Sequence, residues 1–307
     1  MATRFTLRNA LGEPPVEVTL SAGLSQEACL GFKPFNVWLE SLRQSLRLQS
    51  EEHHPFNAEK ERYTLRRINV QSVDYFGSRI GFMKMETVVE NDSDGRPLPG
   101  IVFLRGGSVA VLIILRPESE DENDERYVVL TQQPRIPAGS LTFCEIPAGM
   151  IDDAGTFKGA AAKELLEETG LIVSVNELTD MTMLALKDAK GSESHLQKAM
   201  YPSPGGCDEY IALFLWEKTM PCSELNELRD KLSGNDTEKI TLKLVKYEEL
   251  WREGARDAKT LAALALYEGL TRAGVLGDKG PTSSARKRKK LRKGKSTNRR
   301  HRTEELR

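Results

Sequence analysis

The sequence predicts an α/β sandwich preceded by a small β-rich N-terminal domain, and three observations carry that reading. Apolar, β-branched runs recur in pieces too short and too broken for helices. One acidic helix, closed by Gly170, follows a strand end and a glycine loop at Gly149. A last helical stretch between Tyr247 and Leu270 carries Ala, Leu and Tyr on one side.

Taken in order, residues 1–62 form a mixed region with one amphipathic helix. Pro34 to Leu48 places apolar residues at 35, 38, 39, 42, 46 and 48, a helical stripe in which Trp38 reads as packing. His53, His54 and Pro55 read as a loop, and two histidines without a third ligand are weak evidence for metal. Residues 63–100 form a β domain: TLRRINVQSV and RIGFMKMETVV flank the turn-like FGSR, and NDSDGRPLPG makes a second turn. Residues 101–276 form the larger domain. IVFLRGGSVAVLIIL, RYVVLTQQPRIP and FCEIPAG lead into the acidic helix; EYIALFLWE and KITLKLVKY follow as strands, and the last helix closes the unit. No internal repeat is evident.

Composition bounds the function. With 39% apolar and 29% charged residues, the 307-residue chain is of the globular class and can bury a substantial core. No run of 18 apolar residues is present, so no membrane helix is expected. Four scattered cysteines show no metal-type spacing and read as reduced thiols inside a cell. The net charge of −1 hides a split: residues 281–307 hold twelve Lys or Arg against two Glu, a net +10, and the rest of the chain carries −11. The tail, residues 277–307, has too little apolar content to fold and reads as a disordered, solvated basic tail, a nuclear address or a phosphate-binding extension. A cytoplasmic or nuclear setting follows. Arg4 and Arg8, with no acid before Glu13, are also compatible with a mitochondrial presequence.

The chemistry concentrates on Gly149 to Leu171, GMIDDAGTFKGAAAKELLEETGL. Relative to Glu164, Glu167 stands about 60° to one side and Glu168 about 40° to the other, so three carboxylates share an arc of roughly 100°. Like charges at that spacing cost a bare helix a few tenths of a kcal/mol. A hard divalent cation reverses the sign, taking some oxygens from protein and the rest from water and phosphate. No G-x-S-x-G elbow and no Gly-Lys-Ser/Thr phosphate loop occurs, and the four histidines lie outside the segment. Carboxylates over Mg²⁺ suit pyrophosphate cleavage better than acyl transfer.

The segment resembles the Nudix box: Gly149, Glu164, Leu165, Glu167, Glu168, Gly170 and Leu171 fall on its pattern, while Gly155 and Lys163 stand where the family has Glu and Arg. With YPSPGGCDE (Tyr201 to Glu209), VDYFGSRIGF, PGIVFLRGG, LTQQPRIPAG and YEELWREGARDAKTL, the chain from Tyr63 to Leu276 is similar to the plant and fungal ADP-sugar diphosphatases of that superfamily. The resemblance implies an α/β/α sandwich with a mixed sheet. It implies Mg²⁺, or Mn²⁺, held by Glu164, Glu167, Glu168 and the carbonyl of Ala148. It implies a nucleotide-sugar substrate lined by Arg105, Arg135, Ser203, Gly205, Gly206 and Glu209. Catalysis would draw on Glu167 and on a water-activating base, Glu238 with Asp236 as its rival. A homodimer formed through the N-terminal domain is also implied, with Tyr75 or Phe76 stacking on adenine across the subunit boundary. Core packing explains either ring equally well.

The expected activity is metal-dependent hydrolysis of ADP-ribose or ADP-glucose to AMP and a sugar phosphate. Two alternatives stay open: a decayed Nudix domain that binds a nucleotide sugar without cleaving it, signalled by Gly155 and Lys163, and an RNA-directed Nudix hydrolase recruited by the basic tail. Nucleic acid is otherwise not expected as a partner, since the tail has no stacking aromatics.

Overall fold

The computed structural model describes residues 3–8, 14–57, 61–118, 125–151, 156–188, 193–233 and 239–277. Gly155, Asp236, Glu238 and the basic tail from residue 278 lie outside them.

Two sheets organise the chain. The first contains β1 (Arg4–Leu7) and β2 (Val16–Thr19), followed by the helices α1 (Gln26–Gly31) and α2 (Lys33–Leu48). It continues with β3 (Tyr63–Phe76), β4 (Arg79–Asn91), β5 (Pro97–Leu98) and β6 (Ile101–Leu104). β3 and β4 form the long antiparallel ribbon expected around the Gly77–Ser78 turn, and Gly77 supplies the positive φ of 64° that the turn needs. The expected boundary at residue 62 does not separate two cores. β2 pairs in parallel with β3, and Val16, Val18 and Leu20 share one buried cluster with Phe35 and Leu39 of α2 and with Ile68, Met83 and Leu104. β6, read from the sequence as the start of the second domain, pairs with β4 in this first sheet. Four-residue strands are too short to show a period of two, and the pairing of β2 is set by partners some 50 residues away.

The second sheet is eight-stranded and mixed. Its elements are β7 (Gly107–Pro117), β8 (Tyr127–Arg135), β9 (Ser140–Glu145), β10 (Ala148–Met150), the acidic helix α3 (Phe157–Thr169), β11 (Thr179–Asp180) and α4 (Met181–Ala185). There follow β12 (Tyr210–Met220), α5 (Cys222–Glu227), β13 (Leu232–Ser233), β14 (Ile240–Lys246), α6 (Leu250–Glu253) and α7 (Ala258–Arg272). The strand order is β11-β12-β7-β8-β14-β13, with β7 and β12 parallel. Alternate residues of β7 serve opposite cores, as a strand buried on both faces requires. Val109, Val111 and Ile113 pack with Ala161 and Leu165 of α3, while Ala110, Leu112 and Ile114 pack with Ala263 and Tyr267 of α7. The result is the expected α/β/α sandwich. The stretch expected to contain the last helix is broken between α6 and α7, because Asp257 caps α7 by accepting from the backbone N–H groups of Lys259 and Thr260.

One departure from a flat sheet prepares the site. β7 and β8 pair only at Ile114–Val128 and Leu115–Tyr127, then diverge. β10 takes up the edge of β7 and β9 the edge of β8, so the EIPAG segment between them crosses the opening.

Candidate active site

Thr156 caps α3 by accepting from Gly159 N at 3.1 Å, and Gly170, at φ +73°, ends it. Ala160, Ala161 and Leu165 commit one face of the helix to the core. That commitment turns Glu168 toward the sheet and Glu167 away from it. Glu168 is 5% exposed and reaches into the gap between the diverging strands. There its Oε1 accepts from Gln133 Nε2 of β8 at 3.1 Å and its Oε2 from Ala148 N of β10 at 3.0 Å. Glu164 is half-buried, with its carboxyl lying against Gly149, where any Cβ would fall on it. Glu167 faces solvent and stands 4.0 Å from Lys163, the residue at the family's Arg position.

The shared arc is therefore divided: Glu164 and Glu168 come together and Glu167 stands apart. Among the described residues, no three His, Cys, Asp or Glu side chains converge as a ready-made metal cage. Burial pushes the Glu168 carboxyl up to about 7 against the pull of its two N–H donors, and the charges of Glu164 and Glu145 push the same way. A cation beside it would reverse that cost. Ala148 adds a third oxygen. Val111 N bonds Pro147 O and Ile151 N bonds Gly107 O, so Ala148 is a residue whose N–H and C=O both face away from β7, on the Glu168 side. Two carboxylates and a backbone carbonyl are an all-oxygen set that fits a hard divalent cation, which takes its remaining ligands from water and phosphate.

The expected substrate residues fall into two groups. Arg105 Nη2 lies 3.3 Å from Glu209 Oε1, which also accepts from Ser108 Oγ at 3.3 Å, so these two candidates pair with each other. Ser108 is buried and stands opposite Met150 in the β7–β10 ladder, which sets this group two residues from Ala148. Gly206 O accepts from Phe103 N at 2.8 Å, and Ser203 O accepts from Gly206 N and Cys207 N, closing a tight turn. A Cβ at Gly205 or Gly206 would meet open space, so neither glycine is required by internal packing. Asp208, absent from the sequence reading, anchors the loop: its carboxylate accepts from the backbone N–H groups of Arg105 at 2.7 Å and Gly106 at 3.1 Å. Burial raises its pKa while those N–H groups lower it.

Arg135 lies elsewhere, at the end of β8, where its Nε donates to Glu145 Oε1 at 2.6 Å. Glu145 is 2% exposed and its other oxygen binds Lys259 Nζ, which also stands 3.0 Å from Asp257 Oδ1. The sequence reading missed Gln133, Glu145 and Lys259. The signal available was Thr131, Gln132, Gln133 and Arg135, a polar run that ends a strand whose first half is apolar.

A cavity of about 310 Å³ opens beside the start of the acidic segment. Arg105, Gly107, Met150 and Tyr210 line one side, and the α1–α2 junction with Tyr75, Phe76 and Arg79 lines the other. Tyr75 and Phe76, 50% and 44% exposed, thus border a cavity of their own chain.

The family model described as NUDIX domain matches residues 105–264. The chain is 35% identical over 268 residues to Nudix hydrolase 14, chloroplastic, of Arabidopsis thaliana, covering 85% of this chain and 79% of that one. It is 32% identical over 162 residues to an ADP-ribose pyrophosphatase of Bacillus subtilis (strain 168), covering 52% and 70%. A solved structure titled as an ADP compounds hydrolase aligns with a TM-score of 0.46 at 17% identity, over 69% of this chain and 96% of that one.

Proposed function

This chain belongs to the NUDIX family of hydrolases, and on that premise we propose that it cleaves the pyrophosphate of ADP-sugars, ADP-ribose and ADP-glucose among them, to AMP and a sugar phosphate. The observation that carries the reading is the buried Glu168 carboxyl, pushed up to about 7 and paired with Glu164 beside Gly149. The Bacillus relative, an ADP-ribose pyrophosphatase, supports the substrate class, and the Arabidopsis relative, a Nudix hydrolase, supports the enzyme class. Glu164, Glu168 and the Ala148 carbonyl would hold Mg²⁺ or Mn²⁺, with Glu167 joining from the solvent side. When bound, the ion supplies charge neutralisation for the phosphoryl oxygens and a lowered pKa for water.

The protein's own groups orient the substrate. Arg135 offers its guanidinium to phosphate, and Arg105 with Glu209 and the Ser203–Gly206 turn borders the sugar or nucleoside. Water attacks one phosphorus, the bridging P–O bond breaks, and the other phosphate leaves with the electron pair. The proton passes to a base, for which Glu238 is the candidate, with Asp236 as its rival. The protein acts as a homodimer in this reading, with the exposed Tyr75 and Phe76 in or near the interface. No helix among the described residues is long and apolar enough to cross a membrane.

The test is AMP release from ADP-ribose and ADP-glucose, with and without Mg²⁺ or Mn²⁺, by wild type and Glu168→Gln. Equal rates for the two proteins would remove Glu168 from the site. Tight ADP-ribose binding with no turnover in either metal would favour a binding domain instead. Cleavage of capped RNA that is lost on deleting residues 281–307, with ADP-sugars untouched, would favour the RNA-directed reading.

A further inference from the structure

We propose that Lys259 is a positioning residue for Arg135: by holding one oxygen of Glu145 it confines Arg135 to the other oxygen, through Nε, and leaves the terminal guanidinium nitrogens for substrate phosphate. The inference rests on the phosphate-holding role of Arg135 given above. A carboxylate facing an arginine alone takes it in a two-bond fork that spends both sides of the pair. Glu145 is not paired in that way: Oε2 meets Lys259 Nζ, and Oε1 meets Arg135 Nε at 2.6 Å. Lysine suits this post because its ammonium is a compact charge with no planar fork of its own.

The lysine is itself fixed. Its Nζ stands 3.0 Å from Asp257 Oδ1, and Asp257 Oδ2 accepts from Thr260 N at 3.1 Å and Thr260 Oγ1 at 2.5 Å. Thr260 Oγ1 in turn accepts from Ile146 N at 3.1 Å, one residue after Glu145. The first turn of α7 thus clamps the EIPAG crossing from behind, while Glu168 holds it at Ala148 from the other side. Exposure follows the division of labour: the Lys259 side chain is 11% exposed and that of Arg135 is 39%. The buried cation completes the electrostatics and the exposed one meets the ligand.

The experiment is a double-mutant cycle on the full chain, with ADP-ribose and Mg²⁺, reading KM and kcat separately. Lys259→Met should raise KM about tenfold, the worth of one charge-assisted hydrogen bond to phosphate, with a smaller change in kcat. In an Arg135→Ala background the same substitution should change KM less than about twofold, because the residue it acts through is gone. Should Lys259→Met fail to fold, Lys259→Gln keeps a donor to Glu145 without the charge and should move KM in the same direction. An unchanged KM in Lys259→Met, or an equal increase in both backgrounds, overturns the proposal. If Arg135→Ala alone leaves KM unaltered, the phosphate role of Arg135 falls and this inference with it. If Arg135→Ala impairs binding and Lys259→Met does not, only the inference falls.

Discussion

Replacing Glu168 with glutamine should change how stability depends on pH, and the size of the effect follows from burial. The carboxyl rises from 4.5 to about 7 in the folded protein, chiefly because it is desolvated. Below about pH 4.5 both folded and unfolded chains hold the proton, so nothing is lost. Between about 4.5 and 7 the unfolded chain releases a proton that the folded chain keeps, and stability falls as pH rises; above 7 the loss is complete. Keeping the proton up to about pH 7 instead of 4.5 corresponds to ~3 kcal/mol, and with the side chain almost fully buried, solvent screening takes little from it. The assay is urea denaturation in EDTA from about pH 5 to pH 8, read as wild type minus Glu168→Gln, so that carboxylates shifted the other way, such as Glu253, cancel. The amide introduced by Glu168→Gln has one acceptor oxygen in place of two, so it can satisfy Ala148 N but not Gln133 Nε2 as well, and the two curves differ by an offset. The slope, not the offset, carries the result. Mg²⁺ added near pH 8 should return stability to wild type and not to the variant, since a ligand that binds only the folded form stabilises it by mass action. Parallel pH profiles, or equal gains from Mg²⁺, would refute the assignment of Glu168 as a buried, cation-seeking carboxylate.

Gly149→Ala should leave the fold intact and lower AMP release about tenfold or more, because the new methyl takes the place of the Glu164 carboxyl; circular dichroism and turnover read the two effects separately. Gln133→Lys would place an internal cation on Glu168, so it should abolish metal-dependent activity and flatten the pH dependence of stability between about pH 5 and 8. Gly107→Ala drives a Cβ into the ring of the buried Tyr210 and should cost ~1–3 kcal/mol in urea denaturation. Phe35→Ala, fully buried in the first core, should cost ~3–5 kcal/mol, and protection of β7 amides from hydrogen exchange should fall less than that of β3 amides.

What the sequence disclosed and what it hid divide along physical lines. The stop of α3 was legible because capping is local and Gly170 needs no distant partner; the Thr156 cap that starts the helix was not read. The β3–β4 ribbon was legible from FGSR for the same reason. The helical wheel fixed the direction of Glu164, Glu167 and Glu168 around α3 but not their depth. Depth is set by where β8 and β10 stand, which is why Glu168 is buried and Glu167 is not. Glu145, Lys259 and Thr260 were illegible because their contacts join residues 114 apart in the chain. Arg135 was legible as a cation, but its partner was not.

The two buried carboxylates of this region make the clearest physical argument about the site. Glu145 and Glu168 are both almost fully enclosed, and both hydrogen-bond a polar side chain near the end of β8. Glu145 is served by two cations, Arg135 and Lys259. The side-chain and backbone donors to Glu168 are the neutral Gln133 and Ala148 N. The fold does place a cation, Arg135, two residues further along the same strand. An uncompensated buried carboxylate costs several kcal/mol unless it gives up its charge or gains a counter-ion. Leaving Glu168 with neutral donors therefore keeps a negative, desolvated oxygen beside Glu164 and the Ala148 carbonyl, at a level near neutral pH where proton and divalent cation compete for it. The same arrangement would be a defect in a purely structural core. It becomes intelligible where the balancing positive charge arrives from solution together with a phosphate.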